Sequence, residues 1–233
     1  MVLGRILEPE VMDTWEDAVE YDGMDFADVN TAFAERALKL GPSEGILLDA
    51  GTGTARIPIL MVQRRSALRI WAVDLSENML KIGGKNIEEA GVGQSIKLRK
   101  VDAKTLPYPD RYFDMVISNS IVHHLSDPLP FLKEVNRVTK PNGGILLRDL
   151  IRPLDVKSLE ELTEKYTGDC SEYQKKLYRD SLHASFTLDE IRELIAKAGL
   201  TYVTVVQSSD RHWSAERPWK PGEDRRFRLP ASY

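Results

Sequence analysis

The chain has 233 residues, 42% of them hydrophobic, with a formal net charge of −4 at pH 7 and a single cysteine, Cys170. That length suits one large α/β domain; the charge argues against a general grip on nucleic acid, whose phosphates select basic domains or stripes; and a lone cysteine excludes an internal disulfide or a multi-cysteine metal centre. No run approaches the roughly 18 apolar residues of a membrane span and the N-terminus has no apolar block suited to a secretory signal, so the expectation is a soluble, unexported, cytoplasmic chain.

The first segment is acidic. Glu8, Glu10, Asp13, Glu16, Asp17, Glu20, Asp22, Asp25, Asp28 and Glu35 run without a lysine or arginine among residues 8–35, a pattern that reads as a solvated helix face. Met12, Trp15 and Val19 recur at helical spacing, and Val29, Ala32, Phe33, Ala37 and Leu40 make a second stripe up to Gly41-Pro42. Residues 1–42 are therefore expected to be a helical lid.

From there strands and helices alternate. "GILLDA" reads as a strand, followed by a helix face of Ile57, Leu60 and Met61, in which Pro58 is tolerated near the first turn. "LRIWAVD" is the next strand, and the helix after it, marked by Met79, Ile82, Ile87 and Ala90, stops at Gly91. "SIKLRKVD" and "YFDMVISNS" are strands joined through the turn "PYPDR". Phe131, Val135 and Val138 mark another helix, and "KPNGG" feeds the strand "ILLRDLI". Such alternation implies right-handed crossovers and a mostly parallel sheet.

Residues 153–182 break the rhythm as one or two helices, with Val156, Leu159 and Leu162 on one face and Tyr173 and Leu177 on another. A helical insert over residues 153–184 is expected to form part of a substrate pocket. Alternation resumes with the helix "TLDEIRELIAKAGL" and the strand "TYVTVVQ", and "RHWSAER" reads as a last strand returning antiparallel. Residues 1–217 thus form a single domain, and 218–233, with "RRFR" at Arg225 to Arg228, an irregular tail.

The stretch "LLDAGTGTA" holds the densest signal. In an open parallel sheet, ligands bind outside the carboxyl ends of the strands, where strand order reverses. Gly51 and Gly53 let a ligand approach the backbone, and the helix starting near Thr54 offers unpaired amides. A dinucleotide fingerprint wants Gly or Ala where this chain has Arg56, and no P-loop pattern occurs. Asp49 would repel phosphate, so a zwitterion with its carboxylate on the amides and its cationic groups toward Asp49 suits the site better. Asp74, 21 residues after Gly53, suits two ribose hydroxyls, unless it only caps the following helix. Leu75 and Met79 suit one face of a base, and Asp102 with the Ala103 amide suits an exocyclic amine.

On these motifs the sequence resembles the class I S-adenosylmethionine-dependent methyltransferases over about residues 44–208, nearest the small-molecule branch that includes ubiquinone and menaquinone biosynthesis enzymes. The motifs are "LLDAGTGTA", "VDLSENML", "VDAKTLPYPDRYFDMVISNSIVHHL" and "FLKEVNRVTKPNGGILLRD". The resemblance implies a Rossmann-like fold with seven strands, the last antiparallel, and helices on both faces, with S-adenosylmethionine as cofactor. It places Asp49, Ala50, Gly51, Thr52 and Gly53 around the methionine moiety, Asp74, Leu75 and Met79 on the nucleoside, Asp102 and Ala103 near the adenine amine, and Asn119 beside the cofactor. Tyr21 resembles an aromatic that folds over it. Ala55 stands where the family often has a third glycine.

Methyl transfer from a sulfonium needs positioning and management of the acceptor's proton more than a nucleophilic side chain. His123 and His124 follow the fourth strand on the ligand side, and Asp149 ends the fifth. The bland alternatives are loop hydrogen bonding for the histidines and a salt bridge from Asp149 to Arg148 or Arg152. His183, His212 and Trp213 are weaker candidates, Trp213 being better suited to packing. No metal site is expected. A small-molecule methyltransferase is the leading reading, a catalytically silent cofactor-binding module the alternative, and RNA methylation through the tail arginines a third.

Overall fold

The computed structural model describes residues 3–8, 14–23 and 27–221, and a seven-stranded sheet organises them. In chain order the elements are α1 (Trp15–Gly23), α2 (Ala27–Leu40), β1 (Gly45–Ala50), α3 (Arg56–Arg64), β2 (Leu68–Asp74), α4 (Glu77–Glu89), β3 (Ile96–Lys100) and β4 (Phe113–Asn119). A short 3₁₀ turn (Val122–His124) leads to α5 (Leu129–Val138), β5 (Thr139–Leu150), α6 (Val156–Thr167), α7 (Glu172–Ala184), α8 (Leu188–Lys197), β6 (Thr204–Gln207) and β7 (His212–Arg217).

Strand order is β3-β2-β1-β4-β5-β7-β6. All pairings are parallel except those of β7, which runs antiparallel to both β5 and β6. The order reverses between β1 and β4, so their carboxyl ends open a crevice where neighbouring connections leave in opposite directions.

Alternate residues of the strands feed two cores. Leu48, Ala50, Val116, Ile145 and Leu147 pack with Phe131, Val135, Ile191 and Trp213 on one face. Leu47, Ile70, Met115 and Ile117 pack with Phe33, Ala37, Met61 and Val62 on the other. Phe131 and Trp213 are fully enclosed, and truncating such a ring to alanine costs about 3–5 kcal/mol. With both faces covered, the inner strands must be apolar throughout, which is why they read as continuous runs.

Helix ends follow local chemistry. Ser76 caps α4 by accepting from the Met79 amide, while Ser171 and Thr187 form reciprocal capping boxes with Gln174 and Glu190. Arg137 on α5 pins the β3–β4 connection by donating to the carbonyls of Leu106 and Tyr108 at 2.9 and 2.7 Å. Among the described residues no helix is long and apolar enough to cross a membrane.

Several local expectations shift. β3 ends at Lys100, so Asp102 sits in the following turn rather than on the strand. β6 starts only at Thr204, after Tyr202 at φ 60°. On α1 the buried residue is Ala18, packed with Met79 and Ile82, whereas Trp15 and Val19 face outward. A short helix so rich in carboxylates docks through its smallest side chain. Met12 and residues 222–233, including "RRFR", lie outside the described residues.

Candidate functional site

At the reversal point the chain turns sharply. Gly51 has φ 76°, and a Cβ there would lie 2.0 Å from Ile121 Cγ2, so only glycine fits between β1 and the segment after β4. The amides of Gly51 and Thr52 both donate to the Val73 carbonyl, at 2.8 and 2.9 Å. Ala55, the residue before α3, is left-handed at φ 62° and fully buried. Ser120 is left-handed too, at φ 60°. Non-glycine residues held this way on both sides of one crevice store strain, as binding sites commonly do.

A single cavity brings most of the sequence candidates together. Gly51, Gly53, Asp74, Leu75, Met79, Asp102, Ala103, Asn119 and Tyr21 line it, joined by Ser76, Ser120, Ile121, His124 and Leu125. Asp49, Ala50, Thr52, His123 and Asp149 are buried outside its lining. His183, His212 and Trp213 do not reach it either. Trp213 is core packing, and burial with Arg211 and Arg148 nearby lowers His212 to about 4.

On the β1–β3 side, Asp74 and Asp102 are held by backbone amides and Asp49 is not. Asp74 Oδ2 accepts from the Gly53 amide at 2.8 Å and Oδ1 from the Ser76 amide at 2.9 Å. It thereby ties the tight turn to the head of α4, a partial form of the capping alternative, although the cap itself is Ser76. Burial raises the Asp74 carboxyl above its usual range against these amides. Asp49 is 1% exposed and its Oδ2 has no hydrogen-bond partner. Burial, opposed by the nearby Thr52 hydroxyl and reinforced by Asp74, pushes Asp49 up to about 7. Tyr21, its Cε1 3.6 Å from the position of a Gly53 Cβ, is pushed up to about 12 by burial, Asp74 and Asp49. Asp102 accepts from the Lys104 amide at 2.8 Å and stays partly open to solvent.

The β4–β5 side is a cluster of charged side chains. Asp149 Oδ1 lies 2.5 Å from His123 Nδ1, and its Oδ2 accepts the His123 amide at 3.0 Å. Asp149 therefore pairs with neither neighbouring arginine: Arg152 bonds Glu190, and Arg148 donates to Ser214. Glu8, from the N-terminal segment, completes the cluster, with Oε1 3.2 Å from His123 Nε2 and 3.0 Å from His124 Nδ1. Burial lowers His123, but Asp149 and Glu8 outweigh it and raise the imidazole to about 10. A histidine that keeps its proton at neutral pH and is 4% exposed cannot serve as a general base for a ligand in the cavity. The same ion pairs hold Asp149 and Glu8 below the carboxylate range despite burial.

Glu8 was absent from the sequence candidates, submerged in an acidic run that reads as solvated. The segment carrying it is strapped down by Arg5, which donates to the carbonyls of Ala184, His123 and Leu125 at 2.6, 3.0 and 2.8 Å and stacks on Phe186. Asp22, from the same run, bonds Arg56 at 2.7 Å. Glu10, Asp13, Asp25 and the Asp17 side chain lie outside the described residues. Ser120 and Ile121 were also missed; the signal available for them was their position directly after Asn119.

Comparison with known proteins agrees with this geometry. Residues 48–147 match the family described as a methyltransferase domain. Over 186 residues the chain is 24% identical to the ubiquinone/menaquinone biosynthesis C-methyltransferase UbiE of Shewanella sp. (strain W3-18-1), spanning 74% of this chain and 72% of that one. Over 107 residues it is 35% identical to the demethylmenaquinone methyltransferase of Geobacillus kaustophilus, 46% of this chain and 45% of the relative. The crystal structure of a SAM-dependent methyltransferase from Aquifex aeolicus has the same fold, with a TM-score of 0.63 at 18% identity over 87% of this chain and 97% of that one.

Proposed function

We propose that this S-adenosylmethionine-dependent methyltransferase transfers the methyl group to a small-molecule acceptor bound in the crevice between the β1 and β4 ends. The observation that carries this reading is the single cavity lined by Asp74 and Asp102 from the β2 and β3 ends and by Asn119 and His124 from the β4 end. The relatives' names support the acceptor class: one is a ubiquinone/menaquinone biosynthesis C-methyltransferase and the other a demethylmenaquinone methyltransferase.

The residues present fit the cofactor. Asp49 Oδ2 is a buried oxygen with no partner, beneath a turn whose glycine a Cβ would close against Ile121. In this reading Asp49, Ala50, Gly51, Thr52 and Gly53 surround the methionine portion, with Asp49 supplying countercharge from below the lining. Asp74 receives the ribose hydroxyls on lone pairs left over from its two amide bonds, Leu75 and Met79 cover the base, and Asp102 with Ala103 meets its amine. Asn119 and Tyr21 close the two sides. When bound, S-adenosylmethionine supplies an electrophilic methyl group.

On the acceptor side, residues 1–42 and 153–184 act as lid and insert, since among the described residues neither contributes a strand to the sheet. His124 is the one candidate proton acceptor among His123, His124 and Asp149 that faces the cavity. We place the enzyme in the reducing cytoplasm, where an exposed free thiol such as Cys170 is stable. The test is transfer of labelled methyl from the cofactor into fractionated extract. Label in the small-molecule fraction, including demethylated quinone precursors, supports the reading; label confined to protein or RNA, or in no fraction, contradicts it.

A further inference from the structure

We propose that Glu8, His123 and His124 bind one divalent transition-metal ion at the rim of the crevice. Each offers one donor atom, and the three atoms lie within 4.8 Å of one another. Glu8 Oε1 is 3.2 Å from His123 Nε2 and 3.0 Å from His124 Nδ1. Donors held about 2.0–2.1 Å from a tetrahedral ion stand about 3.3 Å apart, so these separations match two edges of a coordination polyhedron within a few tenths of an ångström.

Hydrogen bonding alone does not account for the arrangement. His124 Nδ1 is buried and 3.0 Å from a carboxylate oxygen, yet it has no hydrogen-bond partner. The pair is close but misaligned, as donors converging on a third centre are. The surroundings supply the rest of a metal site: Asp149 Oδ1 takes the Nδ1 of His123, leaving Nε2 for the ion, which displaces the Nε2 proton to water as it binds. That outer carboxylate fixes ring orientation and tautomer in histidine-ligated metals. Side-chain exposure is 10% for Glu8, 4% for His123 and 20% for His124, and the most open of the three, His124, lines the cavity.

Two imidazoles and one carboxylate select a borderline ion such as Zn²⁺, Co²⁺, Ni²⁺ or Fe²⁺ over Mg²⁺ or Ca²⁺. Three protein donors leave a position open for an oxygen ligand. The ion's use there rests on the reading that an acceptor occupies the crevice: it would bind an acceptor hydroxyl or enol oxygen and acidify it, the proton passing to water and the electron pair staying on oxygen. Binding of the ion itself does not rest on that reading.

The experiment titrates the full-length, chelator-treated protein with Co²⁺ alone and follows the visible absorption of a low-coordinate cobalt site, with Zn²⁺ competition as a second measurement. The expected result is one equivalent of Co²⁺ with that absorption, displaced by Zn²⁺. Glu8→Gln and His124→Gln should abolish the band, and Asp149→Asn should weaken binding by about 10–100-fold, with circular dichroism confirming the fold of each. Wild-type protein without the band, or a band that persists in both Glu8→Gln and His124→Gln, overturns the proposal. S-adenosylmethionine calorimetry on the same samples separates the outcomes: cofactor binding without cobalt binding sinks only the metal site, and cobalt binding without cofactor binding sinks only the functional reading.

Discussion

The two banks of the crevice hold their charge by different means. On the β1–β3 bank, carboxylates sit at strand ends and Asp74 is anchored by the main-chain amides of Gly53 and Ser76. On the β4–β5 bank, charge is balanced side chain against side chain, with His123 between Asp149 and Glu8 and every partner from a different part of the chain. Burial raises the proton affinity of Asp49 and Asp74, at Asp74 against its two amide bonds, and leaves both with spare acceptor capacity, suited to a cationic, hydroxyl-bearing guest. Ion pairing fixes the protonation of the second bank in advance.

The comparison breaks most visibly at Asp149. Asp149→Ala leaves a buried imidazolium with only Glu8 beside it, and losing one partner of a buried pair costs about 3–5 kcal/mol. Urea denaturation at pH 7 should show a loss of about 3 kcal/mol, reduced from the upper figure by Glu8. A loss below about 1 kcal/mol would mean that the pair does not carry the charge balance described.

On the first bank the corresponding change falls on ligand affinity. Hydrogen bonds to a charged group contribute about 1.5–3 kcal/mol, so Asp74→Ala should weaken S-adenosylmethionine binding by about 10–100-fold while circular dichroism stays the same. Unchanged affinity would remove Asp74 from the site.

Asp49 sharpens the contrast through pH. Its carboxyl moves from 3.8 to about 7 on folding, so the folded chain holds the proton between those values. This contribution to the stability of the ligand-free protein is therefore greatest toward the acid end of that window and is lost as pH rises through it. Cofactor affinity runs the other way, because the ionised form meets the positive charge: it should increase about tenfold between pH 6 and pH 8. Asp49→Asn should flatten that profile. Calorimetry in buffers of different ionisation heat reads the proton released on binding, and an absence of release would contradict the assignment. Tyr21 and Asp74, the titratable neighbours, do not produce the same profile, Tyr21 because it titrates near 12 and Asp74 because Asp49→Asn leaves it intact.

The smallest effect is expected at Ala55. Its left-handed backbone at φ 62° is relaxed by glycine, against the loss of one buried methyl, and Ala55→Gly should add about 0.5–1 kcal/mol of stability. Equal or lower stability in thermal unfolding would show that packing of the methyl outweighs the strain.

The same contrast explains what was legible in the sequence. The first bank is local: apolar runs that end in Asp49 and Asp74 mark the strands themselves, since a strand buried on both faces must be apolar and its end is where polarity can return. Gly51 is legible because only glycine tolerates that turn. Asp102 was placed at a strand end but falls two residues beyond β3, as strand boundaries carry little sequence signal. The second bank is not local. His123 and His124 stand out as a pair, but Glu8 meets them across more than a hundred residues of chain, through contacts that Arg5 makes to backbone carbonyls. Backbone acceptors leave no trace in a sequence, so an acid that reads as solvated became 10% exposed in the fold.

Calorimetric titration of the purified chain with S-adenosylmethionine, S-adenosylhomocysteine and NAD decides which nucleoside the crevice takes. One-to-one binding of the first two, weakened by Asp74→Ala, is expected, with no binding of NAD. Binding of NAD with none of S-adenosylmethionine would contradict assignment of the crevice to S-adenosylmethionine.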